Sequence, residues 1–299
     1  MEKFSDWRDG PTGIAPLLPP RNKQSESSFV ASLVGNIFYF LLAPILCIIR
    51  IPFIIVFTLL LVLFDYIFKT TPLGVVGRVL NRTFAIVFGR SILFLFGFTF
   101  IDEAVESLSR SKQPQGSFKS VMLDDIIISN HTSYIDIIYL VYRFSPMFAV
   151  PPSDRDGVVE GRLIPLSLAG ALKNAMFSPV QLYSDSIATE QLLARINNSW
   201  VGPLVVFAEG TTSNGLGLLE PAQVYLSRNC VPTLPLDGSS NQSVDTQDVV
   251  EWFDALFKAL SSLTNCRRTK ITAHKKLSFV AYWRGYKVKY DKSTEKKHK

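Results

Sequence analysis

The chain has 299 residues, 47% of them apolar, including 22 phenylalanines, and a mean hydropathy of +0.22. That is too greasy for a wholly water-borne enzyme and long enough for one or two buried cores. Three scattered cysteines (Cys47, Cys230, Cys266) exclude a disulfide framework and a cysteine metal cluster, and fit a reducing, cytosolic face. The net charge of +6 divides unevenly: residues 267–299 carry twelve Lys/Arg and two Asp/Glu, which leaves the rest at −4. Beside so much apolar sequence, that basic end points to anionic lipid headgroups and away from nucleic acid.

Residues 1–28 mix charges with Pro11, Pro16, Pro19 and Pro20 and read as a polar, extended arm. They do not read as a signal peptide, because the apolar run begins too late and no small-residue cleavage pattern follows. Membrane-embedded helices are expected over 29–101. Residues 29–49 are uncharged and long enough to cross a hydrocarbon core of ~30 Å. After the lone Arg50, residues 51–64 are again apolar but short, and Pro44 and Pro52 bracket the junction. This pattern predicts an in-membrane hairpin with both ends cytosolic, ahead of a single spanning helix. Residues 84–100, interrupted by Arg90, read as an interfacial or re-entrant element whose arginine is free to snorkel.

Over 102–265 the segments alternate. DDIIISN reads as a strand, YIDIIYLVYRF as a helix with Ile135, Ile138 and Tyr139 on its apolar face, and MFAVPP as a strand. LSLAGALKNAMF reads as a helix, SPVQLYS as a strand, IATEQLLARINNSW as an amphipathic helix and GPLVVFAEG as a strand. A short strand PTLPL, the polar loop 238–248 and the helix VVEWFDALFKAL follow. Strands interleaved with helices predict an α/β layer architecture. Residues 266–299 form the basic C-terminal tail.

Two loops carry chemistry. In IIISNHTSYIDIIY, His131 and Asp136 lie five positions apart, about 140° apart on a regular helix. With His131 at a strand-to-helix turn, however, the carboxylate of Asp136 can fold back onto the imidazole. That pairing fixes the tautomer and raises the basicity of the far nitrogen, as a general base requires. Thr132 or Ser133 is placed to cap the helix. The second loop, FAEGTTSNG, follows another apolar strand and offers a carboxylate, amides and hydroxyls suited to a polyol or phosphate edge.

Taken together, NHTSYID and FAEGTTSNG resemble the signature of the glycerolipid (lysophosphatidic acid) acyltransferase family. Asn130, His131, Ser133 and Asp136 match its first motif, and Phe207, Glu209, Gly210 and Thr211 its third. Val231-Pro232 resembles its fourth, and the opening twenty residues look like a fungal branch. The resemblance implies a mixed sheet flanked by helices, with an N-terminal membrane-embedded hairpin. It also implies acyl transfer from acyl-CoA, a co-substrate, to a free glycerol hydroxyl of a lysophospholipid, without metal or cofactor. Lysophosphatidic acid would become phosphatidic acid, with His131 and Asp136 as catalytic base and orienter.

Asn130, Ser133, Glu209, Gly210, Thr211 and Thr212 would then bind substrate. Ala208 replaces the usual proline, Thr212 stands where many members have arginine, and the window 170–185 lacks the second motif's arginine. Lys173 is the candidate replacement, with Arg155 and Arg162 earlier in a loop. These departures keep open a remodelling acyltransferase for lysophosphatidylcholine or another lysolipid, and a non-catalytic membrane-trafficking protein. The terminal KKHK resembles a dilysine retrieval signal, implying the endoplasmic reticulum membrane with a cytosolic catalytic domain; a lipid-droplet monolayer would suit the hairpin equally.

Overall fold

Apolar residues on nearly every face make a helix that needs a non-aqueous neighbour, and the first long element is of this kind. In the computed structural model, which describes residues 4–19, 38–71, 74–102, 125–152, 162–177, 185–199, 202–221 and 246–283, a π-helical turn (Phe38–Leu42) runs straight into α1 (Ala43–Thr70). The expected break is not there. Pro44 lies in the first turn, where its missing N–H is tolerated, and Pro52 is carried inside the helix. The hairpin predicted between 29–49 and 51–64 is therefore corrected to one continuous helix over the described part. Among the described residues Phe40–Thr70 is the helix long and apolar enough to cross a membrane.

The chain then turns into α2 (Gly74–Leu95). Its pairing with α1 is antiparallel and rests on a ladder of phenylalanines: Phe57 against Phe88, Phe64 against Phe84 (ring centroids 4.2 Å apart) and Phe68 against Phe84. Most of the stretch 84–100 is the second half of α2. Arg90 donates to the carbonyls of Phe98 (2.7 Å) and Thr99 and closes the turn beyond the helix.

The helix pair is fastened to the globular part through α3 (Tyr134–Phe144). Arg82 donates to the Tyr142 carbonyl (2.8 Å), and Lys69, paired with Asp65 at 2.7 Å, donates to the Pro146 carbonyl (2.9 Å). Gly89 permits the close approach, because a Cβ there would lie 2.9 Å from Cβ of Tyr142. Phe96 meets Tyr134 at the other end of α3, so α2 and α3 also run antiparallel.

The remaining elements in order are β1 (Ile126–Ser129), preceding α3, then β2 (Met147–Val150), β3 (Arg162–Leu166), α4 (Leu168–Phe177), β4 (Ile187–Ala188), α5 (Thr189–Ser199), β5 (Leu204–Phe207), β6 (Gly217–Leu218), α6 (Thr246–Thr264), β7 (Arg267–Arg268) and α7 (Ala273–Trp283). Five strands form a mixed sheet in the order β1-β5-β2-β3-β4; β1, β5 and β2 are parallel and β3 and β4 antiparallel. Side chains alternate across β5: Val205 and Phe207 enter the core shared with α1 to α4, while Leu204 and Val206 face Leu192, Ile196 and Leu256 of α5 and α6. The mixed α/β layers expected from the sequence are present.

Some details differ. β3 was not foreseen, and Arg162, expected in a loop, begins it and donates to Ser186 through Nε (2.9 Å) and Nη2 (2.6 Å). On α3, Ile138 is buried as expected, but Ile135 and Tyr139 only partly; Ile137, Leu140 and Val141 are also buried. The helix expected from 187 starts at Thr189. The expected strands at 178–184 and 232–236, Arg155, Val231-Pro232 and the terminal lysines lie outside the described residues.

Candidate active site

Strand register builds the site. In the parallel pair, Ser129 is opposite Phe207, so His131 and Glu209 each lie two residues past the same rung. Both loops therefore leave the sheet together at the carboxyl ends of its strands, where open α/β sheets place ligands. The Ser213 amide donates to the His131 carbonyl (2.9 Å), joining the loops directly. The His131 ring stacks on Phe207 (centroids 4.3 Å apart), which stacks in turn on Phe148.

The first loop is organised by Asp136. One of its oxygens, Oδ2, accepts from the amides of Thr132 and Ser133 (both 2.8 Å) and from the Thr132 hydroxyl (2.9 Å). Ser133 is the N-cap: its hydroxyl accepts from the Ile135 amide (3.1 Å), which with Asp136 completes a capping box. The same Asp136 oxygen lies 3.6 Å from Nδ1 of His131, a contact longer than a hydrogen bond. Burial would raise the Asp136 carboxyl, but the His131 ring, the Ser133 and Thr132 amides and the Thr132 hydroxyl together hold it below the ordinary carboxylate range.

His131 is only 1% exposed, and neither of its ring nitrogens has a hydrogen-bond partner. The same holds for both carboxylate oxygens of Glu209, also 1% exposed, and for the Thr211 hydroxyl. A buried polar group without a partner costs about 1–3 kcal/mol, so five such atoms on two adjoining loops are a cluster shaped to be completed by a ligand. Burial pushes Glu209 up to about 8; Ser213, the Leu219 backbone and the charge of Lys276 oppose this without making a hydrogen bond of normal geometry, and the charge of Asp136 adds to it. Gly210 sits at φ +67°, a conformation that only glycine adopts freely.

Sequence reasoning placed His131, Asp136, Glu209, Gly210, Thr211 and Thr212 in two loops, and the fold brings those loops together. Asn130 precedes His131 and is half-buried; Ser133 is occupied as a helix cap. Lys173 is exposed on α4 and makes no hydrogen bond or ion pair to either loop among the described residues. The cation that does reach the loop is one the sequence did not suggest. Lys276 of α7 donates to the Thr212 carbonyl (2.6 Å) and hydroxyl, and burial pushes it down to about 8 against the opposing charge of Glu209.

A protein of Schizosaccharomyces pombe provisionally named as a lysophosphatidic acid:oleoyl-CoA acyltransferase is 30% identical over 226 residues, which cover 74% of this chain and 66% of the relative. The chain thus spans just under two thirds of that relative's length. A match over 74% of the chain cannot avoid its middle, where both loops lie. No family model matches the chain, and no solved structure matches it.

Proposed function

We propose that the chain is a member of the glycerolipid acyltransferase family, in its fungal branch. On this reading it is an acyl-CoA-dependent acyltransferase that esterifies the free glycerol hydroxyl of a lysophospholipid, converting lysophosphatidic acid to phosphatidic acid. The observation that carries the reading is the His131 ring, buried at the carboxyl end of β1 with Asp136 at Nδ1 and its far nitrogen unpartnered beside the Glu209 loop. The similarity to the fission-yeast protein supports the same chemistry.

In this mechanism Asp136 holds the Nδ1 side of the ring, and Nε2 takes the proton from the acceptor hydroxyl. The alkoxide oxygen attacks the thioester carbonyl, forming a C–O bond and a tetrahedral oxyanion. Collapse breaks the C–S bond, and the proton returns from His131 to the departing thiolate. Glu209, Gly210 and Thr211 position the acceptor headgroup. No acyl-enzyme is needed, because the base acts on the acceptor itself.

Antiparallel packing supports access from lipid. The pairings of Phe57 with Phe88 and Phe96 with Tyr134 lay the first half of α1 toward the end of α3 that follows His131. That half of α1 and the turn before it are lined by exposed Phe40, Ile45, Ile48 and Phe53, and Phe94 and Phe100 (90% exposed) stand at the same end. Both acyl chains would enter there from an endoplasmic reticulum bilayer or a lipid-droplet monolayer, with the catalytic domain on the cytosolic side. A second reading, a remodelling enzyme for lysophosphatidylcholine, is favoured by the missing second-motif arginine.

The test is an assay of the purified, detergent-solubilised protein with oleoyl-CoA and a panel of lysolipids, run beside His131→Ala. Wild type is expected to acylate lysophosphatidic acid fastest, and H131A to lose at least about a thousandfold in kcat while staying membrane-bound. Full activity in H131A would remove the dyad. A preference for lysophosphatidylcholine would select the second reading.

A further inference from the structure

The acceptor loop contains no cation of its own: from Phe207 to Leu219 it has neither lysine nor arginine. Lys276, 64 positions from Thr212, supplies one. An ammonium group has three N–H donors. Two are used on the carbonyl and hydroxyl of Thr212, which leaves one to aim elsewhere. The neighbouring Glu209 carboxyl and Thr211 hydroxyl are buried and unpartnered. Burial holds Glu209 largely protonated at neutral pH, so it can donate a hydrogen bond instead of repelling an anion.

Both ends of the Lys276–Thr212 contact are fixed by the same segment. The Asp9 carboxylate accepts from the Lys270 amide (3.0 Å), just before α7. Trp7 donates to the Ser278 hydroxyl (3.2 Å) and packs its ring on Phe279. The Asn214 side chain, two residues past Thr212, donates to the carbonyls of Ala15 (2.8 Å) and Leu18 (2.7 Å). The N-terminal arm thus brackets Lys276 on its helix and Thr212 on its loop, which is more anchoring than a solvated surface lysine receives.

We propose that Lys276 is the specificity-determining cation for the acceptor's phosphate, meeting it across Thr212 together with Thr211 and Glu209. This assignment rests on the acyl-transfer reading above and narrows its acceptor to a glycerolipid bearing a phosphate monoester.

Lys276→Gln and Lys276→Arg are compared with wild type after thermal unfolding establishes that all three fold alike. Initial rates are measured with lysophosphatidic acid and with monoacylglycerol, which lacks the phosphate, at fixed oleoyl-CoA. K276Q is expected to raise KM for lysophosphatidic acid about tenfold to a hundredfold, with kcat and the KM for acyl-CoA little changed. Its preference for lysophosphatidic acid over monoacylglycerol should shrink by the same factor, and K276R should recover most of it. An equal loss with both acceptors, or a loss in kcat alone, would make Lys276 a pin for Thr212 and overturn the proposal.

A second readout needs no turnover: titration of each protein with glycerol 3-phosphate, followed by thermal shift. Stabilisation of wild type but not of K276Q supports the assignment even if acyl transfer is absent. Turnover of lysophosphatidic acid with no dependence on Lys276 in either assay removes this assignment alone.

Discussion

The two loops at the end of the β1–β5 pair are held in opposite ways. The His131 loop is held mainly from within, because Asp136, Thr132 and Ser133 make most of its hydrogen bonds within a few residues of one another. The Glu209 loop is held from outside, by Asn214 reaching the N-terminal arm, by Lys276 reaching Thr212 and by Ser213 reaching back to His131. The supports of the Glu209 loop come from residues 15–18 and from α7, far away in the sequence. On the proposed function, a locally held base and a remotely held binding loop are thus separated within one site.

The largest effect should come from breaking the locally held loop. Asp136→Asn removes the charge at His131 and puts an N–H where one oxygen accepts from two amides and a hydroxyl. Steady-state kinetics should show kcat lower by about a hundredfold, and denaturant unfolding a loss of about 2 kcal/mol.

A smaller effect, which would sharpen the contrast, is that the loops should respond to pH with opposite signs. Asp136 is held below its ordinary range, so its contribution is present above the unfolded value and is lost as the pH falls through the folded one; the acid limb should flatten in D136N. Glu209 is raised from 4.5 to about 8, so between those values the folded state binds the extra proton and stability falls as pH rises. Unfolding midpoints measured from pH 5 to 8 should decline in wild type and stay nearly level in Glu209→Gln. A matching decline in both would mean that Glu209 does not titrate in the fold. Lys276, lowered from 10.5 to about 8, begins to titrate at the top of this window and makes stability rise from there.

The smallest effect tests the external support. Asn214→Ala removes two bonds to the arm and the one its side chain accepts from the Leu216 amide (3.0 Å). It should raise the acceptor KM by about threefold to tenfold and leave the KM for acyl-CoA unchanged. An unchanged acceptor KM would show that the arm does not shape the loop.

The same division explains what the sequence could reveal. His131, Asp136 and the cap at Ser133 lie in one short stretch, where spacing and capping chemistry determine geometry. The apolar runs III and VVF before the loops announced two strands, of which β5 is buried and β1 half-buried, and their register then placed the loops together. Lys276 could not be anticipated, because nothing near it in the sequence says that α7 crosses the acceptor loop. The same is true of Trp7 and Asp9, whose partners lie more than 250 residues away. β3 was hidden by Arg162, which read as a loop residue until the strand's pairing with β2 and the bond to Ser186 placed it. Pro52 read as a break because a proline loses a helical hydrogen bond, yet the helix runs on through it from Ala43 to Thr70.

The exposed face at the His131 end of the molecule has a kinetic consequence. On the proposed function, a lysolipid arriving through that face is presented by a surface, not by the surrounding water. What the enzyme senses is then the mole fraction of acceptor in its membrane. Adding inert phospholipid or detergent at constant total acceptor should slow the reaction as dilution does for a soluble enzyme, and adding buffer should not.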